Sequence, residues 1–157
     1  MPPSTDSILQ ALDDAFPDRG WPADQPVVPD VDYREGPEVE AWLRPVPFWK
    51  DLRQEDLVRN YDFPPIMTPA ALAWYLPAFM RVAWTSPEEA DMLPCVLLHI
   101  FEDNFGGLLD LLPDSALECV TAFIEDPAGF AQLGVESECA RALTTVQRVL
   151  NGRRRGS

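Results

Sequence analysis

Histidine and lysine are almost absent from this 157-residue chain, with His99 and Lys50 the single examples of each. One histidine leaves any zinc site dependent on carboxylates. Cysteine is scarce and odd in number: Cys95, Cys119 and Cys139 show no Cys-x-x-Cys spacing and sit among Leu, Val and Ala. That excludes a regular disulfide framework or zinc knuckle and predicts buried free thiols in a reducing compartment. Long apolar runs are missing too. Leu93 to Phe101 is the longest nearly apolar stretch, contains His99 and is far too short to span a bilayer. No Lys or Arg precedes an apolar run in MPPSTDSILQ, so no secretory signal is read, and a cytoplasmic bacterial protein without membrane contact is the expectation. The phosphate-cradling glycine loop, Gly-x-Ser-x-Gly, His-Glu-x-x-His and the dinucleotide fingerprint are all absent.

What is present is apolar residue and negative charge. Hydrophobic residues make up 46% and charged residues 24%, enough for one folded domain with a core of its own. The net charge is −14. From Val82 to Ala140 no Lys or Arg occurs, while twelve carboxylates do. Arg153, Arg154 and Arg155 stand apart between Gly152 and Gly156, which predicts a folded domain over 1–152 and a disordered basic tail over 153–157. Phosphate binding needs Lys and Arg to release counterions, so a body this acidic excludes direct nucleic-acid contact and repels anionic lipid. The acidity serves solubility, or it serves a basic protein partner.

No alternating β-branched run is long enough for a strand, and helical periodicity dominates. The expected fold is all-α: a single irregular bundle of about six to seven helices with a proline-rich N-terminal loop. Ser4 or Thr5 opens a helix to about Phe16, with Ile8, Leu9, Leu12, Ala15 and Phe16 on one face. Pro17, Pro22, Pro26 and Pro29 then impose an extended loop, pinned by Trp21, Val27, Val28 and Tyr33. A short helix begins at Pro37 and another spans Trp49 to Asn60. Thr68 as N-cap and Pro69 as first helical residue give the clearest start signal, with Pro77 kinking the helix that follows. Ser86-Pro87-Glu88-Glu89 predicts a further start, broken at Pro94 before a helix over Cys95–Asp103. Asn104 to Gly107 reads as a turn. Pro113 or Asp114 opens a helix closed by Asp126-Pro127, and a last helix runs from Glu136 to Leu150, stopped by Asn151-Gly152.

At Met67–Met80, MTPAALAWYLPAFM, preceded by Trp49-Lys50-Asp51-Leu52 and the Leu57 to Asp62 segment, the chain resembles an uncharacterised bacterial family of small helical proteins. The shared features are an N-terminal helix ending Ala15-Phe16, a Trp-x-x-Leu step, a Thr-Pro-x-Ala-x-x-x-Tyr-Leu-Pro-Ala block and a C-terminal helix containing Gln147. The resemblance covers roughly residues 5–84. It implies a helical fold and brings no catalytic residue.

Chemistry has few candidates. Cys95, His99 and Asp103 are spaced to share a helix face and would suit a nucleophile, base and orienter. However, side chains stacked along one helix lean the same way and do not surround a substrate. His99, Glu102 and Asp103 could ligate a metal in a carboxylate-dominated hydrolase. Asp30-x-Asp32 and Glu38-x-Glu40 lack the glycine and later glutamate of a calcium loop. Trp42, Trp49, Trp74, Tyr75, Phe79 and Trp84 read as core first and groove wall second. The leading expectation is a non-enzymatic acidic binding module without cofactor or metal. It would mask a basic partner such as a toxin, as an immunity or inhibitor protein does. Glu88, Glu89, Asp91, Glu102, Asp103, Asp110, Asp114 and Glu118 would form its acidic face. A metal-dependent hydrolase and a nucleic-acid mimic are the alternatives.

Overall fold

The computed structural model describes residues 4–29, 34–126, 130 and 133–156, and every regular element among them is helical. The order is α1 (Thr5–Ala15), α2 (Gly36–Leu43), α3 (Gln54–Arg59), α4 (Pro69–Thr85), α5 (Leu93–Glu102), α6 (Leu108–Leu111), α7 (Asp114–Glu125) and α8 (Glu136–Arg155), with 3-10 turns at Trp49–Asp51, Pro64–Ile66 and Phe105–Gly107. Tyr33, the Asp30 and Asp32 pair and Pro127 lie outside the described residues.

The start signals work as their chemistry requires. Ser4 caps α1 by accepting from the Ser7 N–H, and Thr68 caps α4 by accepting from the Ala71 N–H at 3.1 Å. In α1 the buried stripe is Ile8, Leu12 and Ala15; Leu9 faces outward. Helix α4 passes through the middle of the protein and buries Leu72, Tyr75, Leu76, Phe79, Met80 and Ala83. It contacts α1, α3, α5 and α6, so one hydrophobic cluster extends from Ile8 to Leu150. The Tyr75 hydroxyl donates to the carbonyls of Leu43 and Val46, fastening the end of α2 to this central helix. Burial pushes the Tyr75 phenol up to about 12.

The proline-rich segment is a strap held by polar ties. Trp21 and Val27 are buried as expected, and Val28 packs against the core. The Glu40 carboxylate accepts from the N–H groups of Val27 and Val28, and Arg44 donates to the carbonyls of Ala23 and Gln25. Thr68 N–H donates to the Val27 carbonyl at 2.8 Å, joining the strap to the start of α4. Prolines leave this stretch short of donors, and side chains from α2 supply what a helix ladder would otherwise provide.

Three expectations are corrected. Trp49 to Asn60 is not one helix: Leu52 and Arg53 are extended, which turns both Trp49 and Leu52 into the core while Arg81 donates to the Leu52 carbonyl at 2.8 Å. No helix starts at Ser86. Residues 87–92 form turns with Asp91 at φ 54°, and α5 begins at Leu93, where Pro94 occupies a first-turn position. A start at Ser86 would have placed Pro94 in a helix interior, at a cost of about 3 kcal/mol; a start at Leu93 removes that conflict.

The third correction concerns the C-terminus. Helix α8 continues through Asn151 and Gly152 to Arg155, so Arg153, Arg154 and Arg155 are helical and the expected disordered tail is absent over those residues. Gly152 costs about 1 kcal/mol within a helix. Three arginines at the negative end of the helix dipole and the ion pairs of Arg153 and Arg154 favour continuation. Gly106, in the turn foreseen over 104–107, has φ 56°, and a Cβ there would lie 2.5 Å from the Pro69 ring. Only glycine allows that turn to close on the first residue of α4.

Candidate functional site

The acidic residues do not share one face without countercharge. Glu102, at the end of α5, is ion-paired with Arg141 of α8, and Glu138 lies 3.8 Å from the same guanidinium. Asp114 and Glu118 on α7 meet Arg153 and Arg154 at 2.9 and 3.8 Å. Asp110 accepts from Asn104, whose own side-chain oxygen accepts from the Leu109 N–H, so this carboxylate helps close a turn. Glu88, Glu89 and Asp91 are exposed on the turns joining α4 to α5. Gln54 donates to Glu89 at 2.9 Å, and no ion pair reaches the three among the described residues. Beside them Met92 is 49% exposed. Asp103 is exposed and borders a shallow depression shared with Arg141 and Arg148.

The candidates for chemistry disperse. His99 is exposed, and Glu102 is engaged by Arg141. Among the described residues no group of three or more His, Cys, Asp or Glu side chains is arranged to hold a metal ion. Burial raises the Cys95 thiol, and the nearby Glu138 carboxylate raises it further. Cys139 is raised by burial and by Glu138 and Glu136, and Cys119 is pushed by burial up to about 12. A nucleophilic cysteine needs its thiolate, and these surroundings oppose it.

A groove of about 600 Å³ opens beside α4. Phe16 and Trp21 line it from the end of α1 and the strap, Ala73 and Trp74 from α4, and Leu111 from the end of α6. Trp21 and Trp74 meet edge to face at 5.6 Å between centroids, and Leu111 is 54% exposed. Among the described residues the only charged ones on the wall are Arg19, which lies over the Trp74 ring at 5.7 Å, and Arg153. Arg153 is fixed by Asp114 and by the carbonyls of Leu109 and Asp110. The aromatic set therefore divides: Trp49, Tyr75, Phe79 and Trp84 are core, Trp42 is half-buried against Phe63 and Phe79, and Trp74 is groove wall.

Compared with protein-family models, curated proteins and solved structures, the chain matches none. The geometry must therefore carry the functional argument. Sequence reasoning missed Arg19, Leu111 and Arg153 as groove residues. No local pattern marks them, because the wall is assembled from segments spread over more than a hundred residues of chain.

Proposed function

We propose that the protein is a non-catalytic acidic binding module that engages a basic protein partner through the turns between α4 and α5. The observation that carries this reading is the set Glu88, Glu89 and Asp91, exposed and outside any ion pair among the described residues, next to the exposed side chain of Met92. Unpaired carboxylates steer a cationic partner, and an apolar neighbour that loses water on contact supplies the affinity that rim charges do not. An immunity or inhibitor protein masking a toxin's basic surface is the form of this function that suits the charge. Glu102, Asp114 and Glu118, already paired with arginines, contribute less than the sequence suggests. The proposal includes a cytoplasmic, bacterial setting and membership of the small helical family resembled by the Thr68–Ala78 block. The hydrolase alternative lacks a ligand set among the described residues. The nucleic-acid mimic loses the carboxylates that arginines neutralise.

Association kinetics with the basic product of a neighbouring gene, measured across a salt series, test the proposal. At low salt the wild type should associate about 10- to 1000-fold faster than at 1 M, where the Debye length falls to about 3 Å. Changing Glu88, Glu89 and Asp91 to Gln, Gln and Asn should remove most of that acceleration. A rate indifferent to both salt and these substitutions overturns the reading.

A further inference from the structure

We propose that the groove beside α4 is a binding site for a small monocarboxylate with an aromatic or aliphatic body. Its volume of about 600 Å³ lies within the range of small-molecule sites, about 300–1,000 Å³. Its walls supply the two kinds of contact such a molecule needs. Trp21, Trp74, Phe16 and Leu111 offer apolar and aromatic surface, and Leu111 and Trp74 remain partly open to water in the free protein. Burying that surface under a ligand gains the hydrophobic contribution that folding left unused.

Charge complementarity selects the ligand's other end. In a chain of net charge −14, no Asp or Glu among the described residues lines this groove, whereas two guanidiniums do. Arg153 is anchored before any ligand arrives: Nη1 donates to Asp114, and Nη2 donates to the carbonyls of Leu109 and Asp110. Of the five N–H donors of a guanidinium, that leaves Nε and one proton on Nη1 for a ligand. Arg19 has no hydrogen bond or ion pair among the described residues and lies over the Trp74 ring, whose π face attracts the cation. A carboxylate accepts such donors in a charge-assisted bond stronger than a neutral one. The surrounding negative body repels a dianion more than a monoanion, so a singly charged carboxylate with a large apolar part fits better than a phosphate ester.

This inference is independent of the partner proposed above, since it uses none of Glu88, Glu89, Asp91 or Met92. Naphthalene-2-carboxylate is a suitable probe, with naphthalene-2-carboxamide and 2-naphthylmethylammonium as neutral and cationic counterparts of similar size. Titration calorimetry on the full chain, with indole fluorescence as a second readout, should show the carboxylate binding at least about tenfold more tightly than the amide, and the ammonium more weakly still. Arg19→Gln should weaken carboxylate binding about tenfold and amide binding less, because the neutral amide accepts a weaker hydrogen bond than the carboxylate does. Arg153→Gln should weaken it as well, and the circular dichroism of that variant shows whether α8 has kept its last turn. Equal affinity for carboxylate and amide, no binding of the carboxylate up to millimolar concentration, or carboxylate binding unchanged in Arg19→Gln would each overturn the proposal.

Discussion

The N-terminal strap and the C-terminal helices are stabilised by different means. Residues 17–29 have little ladder of their own and are held by Glu40, Arg44, Thr68 and the buried Trp21 and Val27. Helices α5, α7 and α8 are held by contact between apolar faces, with α5 and α8 forming the most extensive helix pair. Their polar contacts include ion pairs near the surface, such as Glu102 with Arg141 and Asp114 with Arg153, and the hydrogen bond from the Thr145 hydroxyl to the Glu102 carbonyl. Losing a carboxylate that satisfies partly buried backbone N–H groups costs their desolvation, whereas losing an exposed ion pair costs little. Polar substitutions should therefore matter more in the strap, and apolar ones in the helices.

The largest effect should come from the helices. Leu97 on α5 is fully buried, and Leu97→Ala should cost about 2–5 kcal/mol through lost transfer energy and the cavity left behind. The urea midpoint reads the effect; a change within 1 kcal/mol would mean that the site collapses around the gap.

Next is Glu40→Ala, with an expected loss of about 1–3 kcal/mol, since the N–H groups of Val27 and Val28 lose their acceptor. The effect should be local, with faster hydrogen exchange at those two amides than in α8. Uniform exchange across both regions would break the distinction between them. The same residue gives the strap a pH dependence. Burial pushes the Glu40 carboxyl up, but the N–H groups of Val27 and Val28 and the Arg44 guanidinium outweigh it and hold it below the ordinary 4.5. A group with a depressed folded value contributes stability that is complete above its ordinary range and lost as pH falls through the folded value. Protection of Val27 and Val28, taken relative to intrinsic amide exchange at each pH, should thus fall below about pH 4.5 in the wild type, and this pH response should disappear in Glu40→Gln.

Thr68→Ala removes the cap of α4 and should cost about 1 kcal/mol. An unchanged midpoint and slope in urea would show that the helix does not depend on that cap. The smallest effect should be Arg141→Gln, below about 1 kcal/mol, because an exposed ion pair is screened and its partners rehydrate. A larger loss that vanishes in high salt would give the C-terminal helices an electrostatic contribution comparable to the strap's.

Much of the fold was legible in particular residues. Ser4 and Thr68 cap where their hydroxyls reach an unsatisfied N–H, Pro37 and Pro69 sit in first turns, and the prolines from 17 to 29 deny a helix. The error at Ser86 came from a start signal as good locally as the one at Thr68. Pro94, eight residues later, decides against it, because it is tolerated in a first turn and costly in an interior. Of the candidate site, the exposure of Glu88, Glu89 and Asp91 was legible, but the groove was not.

The sequence by itself determined the all-α class and most helix starts, because each depends on interactions within a turn or two of chain. Only the tertiary structure decided which acidic residues keep their field and where a ligand could sit. Arg141 and Arg153 each return to a carboxylate 39 positions earlier, at Glu102 and Asp114, and so neutralise part of a span that contains no cation of its own. Arg19 and Arg153 line one groove because the strap is tied to the start of α4 and Arg153 is tied to α6, which packs on the same helix. Coulomb energy and cavity shape depend on distance in space, and that distance exists only once the helices have packed.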